Sequence, residues 1–472
     1  MNEGVKNKQR IIQKSAYQTV DAIYEEVFDP FLVPEKQFIG YLLSDGKPST
    51  YESLELEDGT KLIPNPSSLI DNGVVLLPSQ AVEYTSELEL INDITTFIHK
   101  YVDVHPFYEK LTAHYVLMSW VYDRCSVVPY LRSLGDYGTG KTRFIQTVGS
   151  LCYRPIFIAG AVTPSPIFRM IEEFQGTMVF NEMDFDDKES DLYSVLVKIL
   201  NNGYEKGMVV LRVEGDKTRE VKAYKTFSPK VFSTRKRFKD QALESRIITV
   251  LMKQTTRKDL PVMLPESFWQ EAESLRNKLL MYRFRNLRRI ATEDKSSKLI
   301  GIEPRLRQTL LPLLEVVEDP KVEESLINYA KEFQGQLITD RGSELEALVF
   351  TKLADLFRQN HKVTVKDVAR AVILDLEDEK FKPSSQKIGR IIRDFGFRTR
   401  RSTGGYPEIV RNDDQIKYLS ERYGLETSPL SLSSLNPQPG QINQSDVSDD
   451  SDASSQSKSD QELAMEFSEG GV

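Results

Sequence analysis

Cysteine is nearly absent from this chain of 472 residues: Cys125 and Cys152 stand far apart without Cys-x-x-Cys spacing, which excludes a disulfide framework and a cysteine zinc site as expectations. The four histidines, His99, His105, His114 and His361, form no His-x-x-His or His-Glu-x-x-His pattern and read as structural. Long apolar runs are missing too. None approaches the roughly twenty residues that cross a bilayer, and the opening Met1-Asn2-Glu3-Gly4-Val5-Lys6 has no signal-peptide core, so we expect a cytoplasmic protein without a membrane partner. A positive balance is likewise absent: the formal net charge of −8 argues against wholesale nucleic-acid binding, but the charge is segregated, with a Ser/Asp-rich end preceded by a basic stretch.

What is present is an ordinary globular composition, 40% hydrophobic and 28% charged, long enough for about three domains. One stretch stands out. Gly135-Asp136-Tyr137-Gly138-Thr139-Gly140-Lys141-Thr142 fits G-x-x-x-x-G-K-[ST], the phosphate-binding loop. Gly135 and Gly140 permit backbone angles and approaches that a β-carbon blocks, so successive N–H groups can point at a phosphate. Lys141 is then placed for the β- and γ-oxygens and the Thr142 hydroxyl for Mg²⁺. The flanks agree: Val127 to Leu131 is a short apolar run, and Thr142 to Cys152 has helical spacing through Phe144, Ile145, Val148 and Leu151.

Taken in order, residues 1–34 read as a helical segment and 35–86 as a small β-rich region, broken by turn signals such as Glu57-Asp58-Gly59. Two helices are expected between Glu87 and Asp123, with a break at His105-Pro106. After the loop, helices alternate with apolar runs at 156–159, 177–180, 230–234 and 247–251, a pattern that predicts a parallel sheet with helices on both faces. A hairpin over 208–227 carries Arg212, Lys217, Arg219, Lys222 and Lys225. The arginine-rich helix Leu275–Ile290 offers a face for DNA or an adjacent subunit. Helices at 346–359, 365–376 and 383–395, then strands at 398–401 and 407–410, complete a winged-helix pattern. Lys387, Arg390 and Arg393 share one face of its third helix, with Arg400 and Arg401 on the wing. Residues 425–472 have too few apolar positions to offset their ordering entropy, and disorder is expected.

A phosphate-loop strand, an acidic strand end at Asn181-Glu182, a hairpin, a polar-tipped strand and an arginine before a last strand resemble, in that order, an AAA+ ATPase. More narrowly they look like the helicase modules of phage and plasmid replication proteins, including primase-helicases and superfamily 3 relatives. The resemblance implies a P-loop ATPase core over 87–255, a helical lid over 256–340 and, with the pattern above, a winged-helix domain over 341–424. It implies ATP and Mg²⁺ as cofactors, Glu182 as the base that orients water, and Asn181 beside Thr142 at the metal, where Asp is the expected residue. Thr234 is taken over Ser233 as the polar sensor. Arg246 matches the arginine that enters a neighbouring subunit's site, which requires an oligomeric ring; an ion pair with Glu244 or Asp240 is its alternative. Arg305, not separable from Arg307 by spacing, resembles an arginine that contacts γ-phosphate from the lid. Lys217 and Arg219 would grip DNA, single-stranded or forked, and the acidic tail is a candidate contact for a replication partner. The expectation is a DNA-translocating ATPase serving replication of a phage or mobile element. A nucleotide switch or loader with little hydrolysis, and a protein-remodelling ATPase, stay open as alternatives.

Overall fold

A computed structural model describes residues 10–29, 33–158, 164–183, 191–214, 220–238, 240–289, 295–342, 345–359, 362–376, 383–400 and 407–424. The chain divides into two units, Met1–Leu348 and Val349–Val472.

The first unit begins with strands where the sequence reads as helix. β1 (Ile11–Gln13), β2 (Ala16–Gln18) and β3 (Ala22–Asp29) join β4 (Val33–Leu42), β5 (Pro48–Tyr51), β6 (Leu54–Glu55) and β7 (Lys61–Ile63) in two small sheets, ordered β2-β3-β4-β5 and β1-β7-β6. The reason lies in β3. Ile23, Glu25 and Val27 lie on one face, buried, while Tyr24 on the other stacks edge-on with Tyr51. A strand covered on both faces, with two buried glutamates, loses the polar alternation by which strands are recognised. Its Ile, Tyr, Val and Phe content is what favours the extended chain.

A short helix α1 (Ser68–Asp71) leads to α2 (Glu87–Tyr101) and α3 (Pro106–Val121). The Ser86 hydroxyl caps α2 by accepting the Glu89 N–H at 3.2 Å, and α3 starts on a proline whose fixed φ suits a first helical turn. The central sheet follows. Its elements are β8 (Tyr130–Leu134), α4 (Lys141–Gly149), β9 (Ile156–Ile158), α5 (Pro164–Phe174), β10 (Met178–Phe180), α6 (Asp191–Asn202), the hairpin β11 (Val209–Glu214) and β12 (Glu220–Lys225), β13 (Lys230–Thr234), α7 (Gln241–Glu244) and β14 (Ile247–Leu251). Five strands run parallel in the order β14-β8-β13-β10-β9. Alternate residues face opposite layers: Leu131, Val179, Val231 and Ile248 pack with α2, α3 and α4, while Tyr130, Phe180, Phe232 and Ile247 pack with α5 and α6. Burial on both faces explains why these strands read as continuous apolar runs.

Three helices close the first unit, α8 (Ser267–Asn286), α9 (Pro304–Glu315) and α10 (Pro320–Gly342). The arginines of the Leu275–Ile290 stretch do not form a free face. Arg276 and Arg283 are buried; Arg285 pairs with Glu83, Arg288 donates to the Thr19 carbonyl, and Arg289 pairs with Glu87 and Glu318. They bind the N-terminal sheets and α2 to the core.

The second unit is reached through α11 (Leu345–Gln359) and contains β15 (Val363–Thr364), α12 (Val365–Asp375), α13 (Ser385–Asp394), β16 (Thr399–Arg400), β17 (Glu408–Ile409) and α14 (Asp413–Tyr423), with an antiparallel sheet ordered β15-β17-β16. Thr364 and Asp367 make a reciprocal capping box that starts α12. β15 and α14 lie outside the pattern read from the sequence. Residues 425–472, including the acidic tail, are outside the described residues.

Candidate nucleotide-binding site

The 135–142 loop leaves the carboxyl end of β8 and enters α4. A β-carbon on Gly135 would lie 2.7 Å from the Met252 carbonyl oxygen and 2.8 Å from Thr139 Oγ1, so only glycine fits. Gly138 and Gly140 take positive φ, 71° and 84°, and Gly140 caps α4 without a side-chain hydrogen bond. The first N–H groups of α4 are therefore left for an anion. Lys141 Nζ donates to the Asp136 carbonyl at 2.6 Å, and Thr139 Oγ1 donates to the same oxygen at 2.8 Å. Tyr137, 75% exposed, lies under the Arg235 guanidinium, 3.9 Å from the ring centre, and its hydroxyl bonds the same arginine.

Thr142 and Asn181, remote in sequence, meet here: Thr142 Oγ1 donates to Asn181 Oδ1 at 3.2 Å. Two neutral oxygens suit a hard cation that brings phosphate and water ligands of its own. Among the described residues no cluster of three or more His, Cys, Asp or Glu could hold a metal alone.

Glu182 follows immediately, exposed and in the left-handed region at φ 56°. Such a backbone is strained for a residue with a side chain and persists only where neighbours hold it. β13 does so. Inserted between β8 and β10, it offers Ser233 Oγ to the Glu182 N–H at 3.0 Å and the Ser233 carbonyl to the Met183 N–H at 2.9 Å. Thr234, the sensor chosen from sequence, is buried with its hydroxyl unpartnered, and its carbonyl accepts the Gly135 N–H at 3.3 Å. Ser233 is thus the hydroxyl that touches the acidic turn, while Thr234 anchors the loop. Arg235 was not singled out from the sequence, although the run Arg235-Lys236-Arg237 directly after a polar-tipped strand is a legible sign.

Arg246 and Arg305 lie elsewhere. The Arg246 carbonyl accepts the Tyr130 N–H at 3.0 Å, at the start of β8, whereas the loop departs after its end, about 15 Å further along the strand. Neither expected ion pair forms: Glu244 chelates Arg132, Asp240 accepts from Asn201 at 3.0 Å, and Arg246 donates to both oxygens of Asn201. Arg305 sits over the same Tyr204 ring as Arg246 and donates to Gln308 at 2.9 Å. Its assignment to its own chain's phosphate loop is therefore corrected: the fold carries it to the opposite end of the sheet.

Lys217 and Arg219 fall outside the described residues. On the arms, Arg212 lies over the Phe168 ring and Lys222 pairs with Glu172 at 3.2 Å, while Val209, Leu211, Val213 and Val221 are exposed. At the loop end of the sheet, Leu251 pairs with Leu134 and borders a cleft of about 430 Å³ lined by Phe107, Tyr108, Tyr329 and Arg237. In the second unit, Lys387, Arg390 and Arg393 are exposed along α13, whose Ile388, Ile391 and Ile392 are buried. Arg400 is chelated by Glu408 at 2.7 and 3.1 Å, so it is not a free cation; Arg401 lies outside the described residues. No described helix is long and apolar enough to cross a membrane.

No family model and no curated protein matches the chain. Among solved structures, the apo C-terminal region of NrS-1 is similar at a TM-score of 0.35 and 13% identity, over 82% of this chain and 96% of that one. A second apo structure of that region gives 0.35 and 12%, over 82% and 95%. A structure of JCV helicase is similar at 0.24 and 11%, over 56% of this chain and 65% of that one. This chain is an α/β protein with a five-stranded parallel sheet and small antiparallel sheets, distantly similar in structure to these proteins.

Proposed function

We propose that the chain is a P-loop ATPase of the AAA+ kind that moves along DNA in the replication of a phage or mobile element. One observation carries the reading: the Thr142–Asn181 contact brings the glycine loop to the strand end that bears Glu182, held there by Ser233. In this reading the α4 amides and Lys141 bind the triphosphate, and the Lys141 ammonium leaves the Asp136 carbonyl to do so. Thr142 and Asn181 hold Mg²⁺, which when bound neutralises phosphate charge. Glu182 orients a water and accepts its proton. Arg246, remote from its own loop, serves a neighbouring copy in a ring. The second unit, whose described residues form the helices α11 to α14 and a small antiparallel sheet, fits a winged helix extended by α14, with α13 as the DNA-facing element. Asn181 favours one further reading: lacking a charge for the metal, it suits a nucleotide switch that turns over slowly.

The test is steady-state ATP hydrolysis with and without single-stranded DNA. We expect DNA to raise the rate and Lys141→Ala to abolish it. Turnover that survives Lys141→Ala would overturn the assignment of the loop, and turnover indifferent to DNA would leave the switch.

For the second unit, replacing Lys387, Arg390 and Arg393 together by alanine is expected to weaken duplex binding and to flatten the slope of log affinity against log salt by about 2 to 3. These side chains are exposed on a helix whose core is untouched, so the melting temperature stays put. An unchanged salt slope would assign α13 to a protein partner.

A further inference from the structure

Arg246 and Arg305 flank one aromatic ring, their guanidinium carbons 5.3 and 5.8 Å from the centre of Tyr204. Tyr204 is buried, and its hydroxyl meets Thr309 Oγ1 at 3.2 Å; Thr309 in turn donates to the Ser245 carbonyl at 3.0 Å. One hydroxyl thus ties α9, which carries Arg305, to the residue before Arg246. Arg246 is further fixed by Asn201, and its Nε is buried without an acceptor.

Among the described residues neither guanidinium is paired with a carboxylate. Arg132, Arg154, Arg257, Arg283, Arg285, Arg289 and Arg400 are paired in that way, whereas Arg143 and the buried Arg276, like these two, donate to uncharged oxygens. The Asp240 carboxylate, which accepts from Asn201 at 3.0 Å, feels the Arg246 charge without a direct bond to it; two half-buried guanidiniums held at fixed positions can still take an anion together, because each has already lost part of its hydration. The anion does not come from the chain's own loop, which lies about 15 Å away at the far end of β8.

We infer that Arg305 acts beside Arg246 as a second arginine that one copy contributes to the nucleotide held in the loop of the next copy, so that each site is incomplete without its neighbour. The inference rests on the ATPase reading above. It goes beyond it by removing Arg305 from its own site and giving it a role in trans. Fixed, planar guanidiniums match the fixed oxygens of a triphosphate. A DNA backbone that must slide past is better served by exposed, flexible cations.

The experiment is complementation in mixed assemblies of the full-length chain. Arg305→Ala, Arg246→Ala and Lys141→Ala are purified separately, and each is expected to hydrolyse ATP at least about tenfold more slowly than the parent chain. Mixed in equal amounts, Lys141→Ala and Arg305→Ala should recover about one quarter of the parental rate, the share of interfaces that pair an intact loop with intact arginines in a randomly mixed ring. If Arg305 worked in its own subunit, that mixture would stay silent, since no subunit would then hold both an intact loop and Arg305. Recovery with Arg246→Ala but not with Arg305→Ala would overturn this proposal and leave the ring intact. Recovery with neither, in a parent chain that hydrolyses ATP, would overturn the ring as well. Arg305→Ala that keeps full turnover but loses affinity for single-stranded DNA would make the pair a DNA contact, against the proposal. Arg305→Lys keeps the charge and guards against misfolding: it should melt with the parent chain and still lose rate, because the forked donor is gone.

Discussion

Glu25→Ala lowers the stability of the first unit by about 3–5 kcal/mol, the range for stranding buried cations by removing their shared anion. Glu25 is 1% exposed, and its carboxylate lies among three donors: Arg283 Nε at 2.6 Å, Arg154 Nη2 at 2.5 Å and the Tyr153 hydroxyl at 2.8 Å. Both guanidiniums are buried and pack on the Tyr153 ring, 4.4 and 4.8 Å from its centre. Arg283 keeps a second partner, Asp123, at 2.9 and 3.0 Å, whereas Arg154 keeps as hydrogen-bond acceptors only the Ser15 and Phe174 carbonyls, with the buried Glu26 acting on its charge without a direct bond. Burial by itself lowers the Arg283 pKa, yet Asp123 and Glu25 raise it well above its ordinary value; a guanidinium does not lose its proton in a protein, so the charge remains when the anion is cut away. The loss concerns the whole unit, because the network joins β3, the end of α3, the segment after α4, and α8. Urea denaturation of Glu25→Ala, compared with Glu83→Ala, measures it. Glu83 pairs with Arg285 at the surface, where a single ion pair contributes no more than about 1 kcal/mol. Equal midpoints for the two variants would show that the N-terminal sheets are not anchored through these ions.

The same network marks where sequence reading stops. A glutamate at 25 and arginines at 276 and 283 look like solvated charges, because the partners that permit their burial come from segments far away in the chain; this is why 1–34 reads as helix and α8 as a charged outer face. The parallel sheet, by contrast, is visible in advance, since strands covered on both faces must be apolar throughout and helices must link them. The contact between Thr142 and Asn181 was legible for the same reason: a loop after one parallel strand and a polar residue after another share the carboxyl edge. Choosing between Ser233 and Thr234 was not. Adjacent strand residues point to opposite faces, so one of the two had to turn toward Glu182, but which one depends on how β13 slots between β8 and β10. Arg305 shows the limit for distance: its spacing after β14 fits a lid, while the path of α9 takes it to Tyr204.

Glu182→Gln cuts ATP turnover by at least about a hundredfold and leaves ATP affinity nearly unchanged, the pattern of a group that acts on the proton in the transition state. The substitution is isosteric, and the turn that presents the side chain is held by backbone groups: the 182 N–H on Ser233 Oγ and the 183 N–H on the Ser233 carbonyl. Glutamine therefore occupies the strained φ of 56° as glutamate does and lacks only the basic carboxylate. Asn181→Asp reports on the metal from the adjacent position. It places a negative charge 3.2 Å from the Thr142 hydroxyl and should lower the Mg²⁺ concentration needed for half-maximal turnover, because a carboxylate supplies the charge an amide cannot. The two variants together separate motor from switch. A parent chain with measurable turnover, lost in Glu182→Gln and merely shifted in Mg²⁺ demand in Asn181→Asp, is a working ATPase built around a neutral metal contact. A parent chain that binds ATP without hydrolysing it, and begins to turn over once residue 181 is charged, is a switch whose slowness resides in Asn181. If Glu182→Gln hydrolyses ATP like its parent, the base is another residue and the chemistry assigned to this strand end falls.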